Sequence, residues 1–486
     1  MTGQETIFLA LALPLLGALG IALAGRFPDI REGVTLATAI GLVITVWSLI
    51  PAVMAGGAPA ATLLDITPTL SVAFSVEPLG MLFAAFASLL WVVNSVYAVG
   101  YMRGNREKHQ TRFYACFAIA LSAAMGIAFA GNLFTLFLFY EVLTLSTYPL
   151  VAHKGDAATV RSARIYIGIL IGTSIGLLLP AIIWTAGLAG TLDFTPGGIL
   201  YGKVAGTALV VLLALYLFGI GKAAVMPVHR WLPAAMVAPT PVSALLHAVA
   251  VVKAGVFTVA KVAVYIFGID FLKEQGMGTW LMVAAATTIL LASLVALRQT
   301  NLKRLLAYST ISQLSYVVLA VSVLAPLSLL GAAFHLVAHA FAKITLFFAA
   351  GSIYTASKKT ELGQLDGIGR LMPWTMGAFT IGALSMIGIP PTVGFVSKWF
   401  IMGGAMETGQ YLVVATLALS TLLNAGYFLP IVYRAFAKAP PVDAKPHGEA
   451  PLTIVVALSF TALMVIALFF LNQPVLDLIG PVTGGL

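Results

Sequence analysis

Residues 217–233 read LFGIGKAAVMPVHRWLP, an apolar segment that holds Lys222 and, shortly after it, Pro227 and Pro233. Proline removes a backbone donor and clashes with the preceding turn, so it breaks or kinks a helix. In a membrane, a broken helix is tolerated where it is buried in protein or lines a water-filled cavity. The segment therefore predicts an interrupted membrane helix with a charged side chain at the interruption.

The composition of the whole chain agrees with a membrane environment. Of 486 residues, 60% are hydrophobic and 9% are charged, whereas a soluble domain carries about 25% charged residues. Mean hydropathy is +1.02. These values exclude a soluble enzyme, a disordered protein and a nucleic-acid-binding protein. The N-terminal residues MTGQETIFLA lack a basic segment and a cleavage site, and we expect them to begin the first span instead of forming a signal peptide.

A helix needs about 20 apolar residues to cross a bilayer, and fourteen segments of the sequence meet this requirement. They lie near residues 6–25, 33–55, 79–101, 112–130, 133–152, 162–187, 204–226, 242–266, 279–298, 305–324, 327–354, 371–397, 410–435 and 452–471. We therefore predict an all-α integral membrane protein with about fourteen transmembrane helices.

The basic residues of the connecting loops fall almost entirely on one side. If the N-terminus is outside, the loops on the cytoplasmic side hold nineteen of them: Arg26, Arg31, Arg103, Arg106, Lys108, Arg112, Lys154, Arg161, Arg164, Arg230, Arg298, Lys303, Arg304, Lys358, Lys359, Arg370, Arg434, Lys438 and Lys445. The other side holds Lys203 and Lys273, and the loop acids divide eight to eight. This bias follows the positive-inside rule. It predicts a multi-pass protein of the cell inner (cytoplasmic) membrane with both termini on the outer side.

One acid and five lysines remain inside the spans. They are Glu141, Lys222, Lys253, Lys261, Lys343 and Lys398. A charge at the bilayer centre costs about 2.5–3.5 kcal/mol on insertion scales, and such residues usually mark an ion or proton pathway. Two structural explanations stay open: Glu141 could hold two helices together through hydrogen bonds, and Lys222 could extend to the interface.

Residues 381–400, IGALSMIGIPPTVGFVSKWF, repeat the design of the first segment, with Pro390-Pro391 in mid-span and Lys398 just beyond. Two interrupted spans in corresponding positions are typical of inverted-repeat transporters. The sequence therefore predicts broken helices 7 and 12 within two inverted five-helix repeats. We expect N-terminal helices 1–3 in residues 1–110, repeats in 111–267 and 268–436, and a loop with helix 14 in 437–486.

His335, His339 and Lys343 are spaced four and four in the eleventh span. This spacing places them on one helix face, about 6 Å apart in rise. Titratable groups along one face of an apolar helix are typical of a proton relay. A zinc site is an alternative because of the H-x-x-x-H spacing, but no cysteine or carboxylate lies nearby. A buried histidine without function is the other alternative for His335.

Five segments together resemble a known family: FYEVLTL, GIGKAAVMPVHRWLPAAMVAPTPVSALLHAVAVVKAG, NLKRLLAYSTISQLSY, HLVAHAFAKITLFFAAG and IGIPPTVGFVSKWF. The family is that of the proton-translocating, antiporter-like membrane proteins. It includes the A-type and D-type components of Mrp cation/proton antiporters and the large membrane-arm components of respiratory complex I and membrane-bound hydrogenases. The resemblance implies a proton pathway through Glu141, Lys222, Lys253, His335, His339, Lys343 and Lys398.

Within that family, the length and Lys398 favour a protein like the D-type Mrp component, because the complex I component with a long lateral helix and the A-type Mrp component both extend further. The resemblance implies that Glu141 stabilises protonated Lys222, whose proton then moves to Lys253, His339 and Lys398. It also implies other membrane subunits as partners, with Na⁺ exchanged through the complex and no nucleic acid bound. The alternatives are a proton-pumping subunit of a redox complex, a non-transporting membrane scaffold and a stand-alone ion channel.

We expect no cofactor or metal in this chain. A single cysteine, Cys116, cannot ligate an iron–sulfur cluster, and no nucleotide-binding motif is present. The sequence thus predicts one subunit of an ion transporter, with redox chemistry, if any, on its partners.

Overall fold

Helices form most of the computed structural model, which describes residues 1–67, 70–440 and 447–480. Within these residues, twelve helices are long and apolar enough to cross a membrane. The two remaining predicted spans are the interrupted helices 7 and 12, so the predicted number of about fourteen is compatible with the structure. Lys445 in the last basic loop and residues 481–486 of the predicted C-terminal segment lie outside the described residues.

The first eight membrane helices, α1 to α8, run as follows: α1 Gly3–Leu23, α2 Pro28–Trp47, α3 Pro78–Gly104, α4 Gln110–Ala128, α5 Leu133–Val151, α6 Ala157–Ala189, the first half of α7 Gly206–Gly219, and α8 Val242–Phe267. The second half of α7 consists of short turns at Val228–Arg230, Trp231–Ala234 and Ala235–Val237.

The remaining membrane helices are α9 Met277–Leu297, α10 Leu302–Ser322, α11 Pro326–Ser357, the two halves of α12 at Pro373–Ile387 and Val393–Glu407, α13 Tyr411–Ala437, and α14 Leu452–Phe470. Short connecting helices occupy Ile50–Met54, Gly221–Ala223, Ile269–Glu274, Leu362–Gln364, Ile368–Leu371 and Gln473–Ile479.

Helix starts follow local chemistry. Helix α2 begins five residues before the predicted position because Pro28 occupies its first turn, where a missing N–H costs nothing. Helices α5 and α6 are capped by Asn132 and Asp156, whose side chains accept hydrogen bonds from the third helical N–H at 2.8 Å. Because these caps follow short loops, neighbouring helices are antiparallel.

A two-stranded antiparallel hairpin, β1 Ala60–Thr67 and β2 Leu70–Ser75, is an exception to the predicted all-α class. It packs over the end of α4: Ser75 N donates to Phe129 O at 2.7 Å, and Gly131 N donates to Ala73 O at 2.9 Å. The hairpin therefore satisfies backbone groups left free where α4 ends. The sequence analysis did not predict it, because its strands lie between apolar spans and carry no membrane signal.

Hydrogen bonds between loops define two opposite faces. On the hairpin face, Phe194 N donates to Gly131 O at 3.1 Å and Thr195 N donates to Tyr265 O at 3.4 Å. On the basic face, Leu302 N donates to Thr360 O at 3.0 Å. We use these names below for the face that carries β1 and β2 and for the face that carries the nineteen basic loop residues counted above.

The centre of the protein is formed by α8 and α11. Every residue of the most apolar window of each of these helices is buried inside the protein, and α10 is nearly as enclosed. Helices α1, α2, α13 and α14 are less than half buried, so they form the periphery. Charged residues on α8 and α11 therefore face protein on all sides, and they need partners within the chain.

Candidate proton pathway

Lys222 lies inside the interruption of α7. Helix α7 stops at Gly219, well before the prolines, and Lys222 sits in the short turn Gly221–Ala223. Its Nζ donates to Tyr140 O at 2.8 Å and to Thr144 Oγ1 at 2.6 Å, and it lies 3.2 Å from the centre of the Tyr140 ring. These contacts hold the ammonium group against α5 instead of letting it extend to an interface.

The interrupted backbone of α7 is satisfied by side chains from other elements. Lys222 N donates to the Tyr140 hydroxyl at 3.0 Å, and Trp231 Nε1 donates to Gly221 O at 2.9 Å. Ala224 has a left-handed backbone conformation with φ of 56°. The break is therefore built by tertiary partners as well as by proline, in agreement with the predicted interruption.

Helix α8 packs directly on this break through Gly255, and we predict that Gly255→Ala destabilises the protein. A Cβ at residue 255 would lie 2.2 Å from Ala223 N and 2.3 Å from Lys222 C, so backbone must move. Overpacking of this kind costs about 1–3 kcal/mol. Thermal unfolding in detergent measures it. Gly168→Ala on α6, with no atom within 4 Å, is the control, and equal stability of the two variants would contradict the close packing.

Glu141 lies next to Tyr140 on α5, but the structure does not pair it with Lys222. Both of its carboxylate oxygens are buried and accept no hydrogen bond from the described residues. Glu141 remains near enough to act on Lys222 through its charge. The predicted pairing is thus an electrostatic proximity in this conformation, and a contact between the two side chains stays a prediction.

Lys253 and His339 form a direct contact at the centre of the protein. Lys253 Nζ on α8 lies 2.7 Å from His339 Nδ1 on α11, and both side chains are fully buried. An amine and an imidazole at this distance share one hydrogen bond, along which a proton can pass. The four-residue spacing predicted this face of α11, while the partner on α8 was implied by the family resemblance.

His335 continues this contact toward α12. Its ring centre lies 6.0 Å from that of His339, and its Nδ1 lies 2.8 Å from Ser397 Oγ. The ring of Tyr316 on α10 stacks on His335, with centres 5.4 Å apart and planes inclined by 13°. Tyr316 and Ser397 were not predicted as site residues, although Tyr316 ends the segment NLKRLLAYSTISQLSY.

Lys398 lies on the second half of α12 and reaches back across its interruption. Its Nζ donates to Met386 O at 2.9 Å and to Ile387 O at 2.7 Å, the last carbonyls of the first half. A cation is stabilised at a helix C-terminus by the helix dipole. The same Nζ lies 5.3 Å from the Tyr316 ring centre, so Tyr316 lies against both His335 and Lys398.

Lys343 branches away from this row. Its Nζ donates to Leu306 O on α10 at 3.3 Å and lies 5.5 Å from the ring centre of Phe428 on α13. The three residues of α11 predicted on one face are thus all buried, but they contact different neighbours. His335 and His339 lie in one row between Lys253 and Lys398, and Lys343 lies one turn to its side.

The seven predicted residues therefore form two clusters. One contains Glu141 and Lys222, and the other runs from Lys253 to Lys398. Among the described residues, no hydrogen bond connects Lys222 with Lys253, although their backbones approach closely at Gly255. The second cluster can carry a proton along hydrogen-bonded nitrogen and oxygen atoms, and no bond chemistry is required. These features define a polytopic membrane protein with a buried row of titratable groups.

Comparison with known proteins identifies the family. Residues 130–424 match the family described as NADH:quinone oxidoreductase/Mrp antiporter, TM. The chain is 31% identical over 436 residues to NADH-quinone oxidoreductase subunit N of Desulforudis audaxviator, covering 84% of each protein. The chain therefore belongs to the NADH:quinone oxidoreductase/Mrp antiporter membrane family, as the sequence resemblance predicted.

Other relatives come from different kinds of complexes. The chain is 31% identical to a probable K(+)/H(+) antiporter component, of type A/B, from Rhizobium meliloti, over 95% of this chain but 46% of that protein. It is also 31% identical to hydrogenase-4 component B of Escherichia coli, over 77% of this chain and 59% of that protein. The chain thus spans about half the length of these two relatives.

Solved structures share the fold along the whole chain. A chain of the Mrp complex from Dietzia sp. DQ12-45-1b aligns with a TM-score of 0.90 at 24% identity, covering 100% of this chain and 97% of that one. A chain of an archaeal membrane-bound sulfane sulfur reductase aligns with a TM-score of 0.86 at 23% identity, covering 98% and 97%. Both belong to multi-subunit membrane complexes, so we expect this fold to work beside other membrane subunits.

Proposed function

We propose that this chain is the proton-translocating subunit of a multi-subunit cation/proton antiporter, similar to the D-type Mrp component. The contact between Lys253 Nζ and His339 Nδ1 at 2.7 Å carries the proposal. A buried amine that touches a buried imidazole has no structural need for either titratable group, since apolar side chains would fill the same space at lower cost. Two such groups in the most enclosed helices indicate transfer of a proton between them.

The steps follow from the contacts. Glu141 stabilises the protonated form of Lys222 through its charge, and a weakening of this interaction releases the proton toward Lys253. The Lys253 ammonium passes a proton to His339 across their hydrogen bond, and His335, with Ser397 beside it, hands it on to Lys398. We propose Tyr316 as a positioning residue, because it stacks on His335 and lies against Lys398.

The proposed arrangement in the membrane uses two five-helix units. Residues 111–267 and 268–436 form the inverted repeats, preceded by helices in 1–110 and followed by 437–486. The bias of basic loop residues supports a cytoplasmic location for the basic face in the cell inner membrane, with both termini and the hairpin on the outer side. Na⁺ would be exchanged through partner subunits, and the antiporter relatives support a monovalent cation.

A proton-pumping subunit of a redox complex is the second candidate. The relative that supports it is subunit N of an NADH-quinone oxidoreductase, which the chain covers over 84% of its length. In this case the same row of residues would move protons, and electron transfer in partner subunits would drive them. A non-transporting scaffold is disfavoured, because it would have no use for the buried lysines and histidines.

Everted membrane vesicles that contain the chain with its native partner subunits test the proposal. After respiration acidifies the lumen, we expect added Na⁺ to release the pH gradient reported by a pH-sensitive dye. Lys253→Ala should remove this response by about tenfold or more, whereas Lys273→Ala, at an exposed residue near Ile269–Glu274, should keep it. Acidification driven by an electron donor and unaffected by Na⁺, together with co-purifying iron–sulfur subunits, would favour the redox complex instead.

A further inference from the structure

A cavity of about 420 Å³ opens on the hairpin face, where the ends of several helices meet. Its lining includes Ser75 from the hairpin, Glu77 at the start of α3, Ala130 after α4, and Lys261 and Tyr265 from the end of α8. The wall therefore combines a carboxylate, an ammonium group and a phenol in one concave site. None of these residues has a role in the pathway described above.

Lys261 forms the inner end of this cavity. Its side chain is fully buried, its Nζ lies 3.2 Å from Glu77 Oε1, and it donates to Ala130 O at 2.7 Å. The Tyr265 hydroxyl donates to the other carboxylate oxygen, Glu77 Oε2, at 2.7 Å. The ammonium group thus faces an anion, a backbone carbonyl and the cavity at once.

Lys261 also lies on the same helix as the central lysine of the pathway. Lys253 and Lys261 are eight residues apart, which corresponds to a rise of about 12 Å. Phe257 lies midway between them and is fully buried, with its ring centre 5.3 Å from that of Phe83 and 5.5 Å from Lys261 Nζ. Helix α8 therefore places one lysine at the centre, one at the cavity, and an aromatic barrier between them.

We infer that Lys261 and Glu77 form the port through which the pathway exchanges protons with the aqueous phase on the hairpin face. This inference rests on the proposed function. In outward transfer, the N–H bond of the Lys261 ammonium breaks and the proton passes to water in the cavity. The neutral amine then takes the next proton from the Lys253 side of Phe257. Glu77 stabilises the charged form of Lys261 between the two steps.

Chemical rescue at Lys261 separates this role from a structural ion pair. Lys261→Cys is made in a Cys116→Ser background, since Cys116 is the only cysteine in the sequence. We expect Lys261→Cys to lose proton transport about tenfold or more. Intact cells are then treated with 2-aminoethyl methanethiosulfonate, which attaches a titratable amine, before everted vesicles are prepared. This treatment should restore transport, whereas the trimethylammonium reagent, which attaches a fixed charge, should not.

The same reagents report the accessible side. The trimethylammonium reagent does not cross membranes, so its application to intact cells should block later rescue by the aminoethyl reagent. Lys261→Arg provides a second variant: it keeps a cation beside Glu77, but arginine cannot release its proton at accessible pH. We expect Lys261→Arg to assemble normally and to fail in transport.

Three results would overturn the inference: equal rescue by both reagents, absence of any reaction from the outside, or normal transport by Lys261→Arg. Lys253→Ala in the same vesicles distinguishes the two proposals. If Lys253→Ala fails and Lys261→Arg transports normally, the port is wrong and the pathway stands. If Lys253→Ala also transports normally, the proposed function itself is wrong.

Discussion

Alanine in place of Lys222 abolishes proton-coupled transport, while the chain still inserts and assembles. The ammonium group of Lys222 lies inside the interruption of α7 and is held by Tyr140 O and Thr144 Oγ1. Alanine removes the titratable group but leaves the backbone bonds of the break, which involve Lys222 N and Gly221 O, in place. We expect a loss of about tenfold or more, or about 1.4 kcal/mol on one barrier, measured in everted vesicles with a pH-sensitive dye.

Glu141→Ala gives the same loss for an electrostatic reason. Its carboxylate oxygens are buried and accept no hydrogen bond among the described residues, so the variant breaks no visible contact. What it removes is the negative charge that stabilises protonated Lys222. Glu141→Gln keeps the volume without the charge and should fail equally. Glu407→Ala at an exposed residue is the control. Normal transport by the Lys222 or the Glu141 variant would remove this cluster from the pathway.

Arginine in place of Lys398 is expected to fail as badly as alanine. Lys398 Nζ donates to the last carbonyls of the first half of α12, at Met386 and Ile387. Arginine keeps the positive charge that the C-terminus of this half-helix favours, but it cannot release a proton at accessible pH. Transport at matched expression in everted vesicles therefore separates a proton carrier from a fixed charge.

The opposite result has a clear meaning. If Lys398→Arg transports normally and Lys398→Ala does not, Lys398 is a structural cation that stabilises the broken end of α12. The pathway would then end at His335 and Ser397, which are joined at 2.8 Å. Lys273→Arg in the exposed segment at Ile269–Glu274 controls for the general effect of a lysine-to-arginine change.

The sequence by itself determined the membrane class, the helix positions and the two interruptions. These properties follow from composition and local chemistry: apolar segments of sufficient length must cross the bilayer, and proline breaks helices. The four-residue spacing in α11 likewise placed His335, His339 and Lys343 on one face. The hairpin Ala60–Thr67 and Leu70–Ser75 was missed, because its strands lie outside the apolar segments that carry the membrane signal.

Only the tertiary structure decided which titratable groups meet. Lys253 and His339 are 86 residues apart and touch, as do Lys261 and Glu77, whereas the predicted pair of Glu141 and Lys222 does not form an ion pair. Tyr316 and Ser397 join the row through packing of α10 and α12 on α11. The physical reason is that a spacing fixes the face of one helix, but the neighbour that this face contacts depends on how all the helices pack. A buried charge takes whichever partner that packing brings within reach.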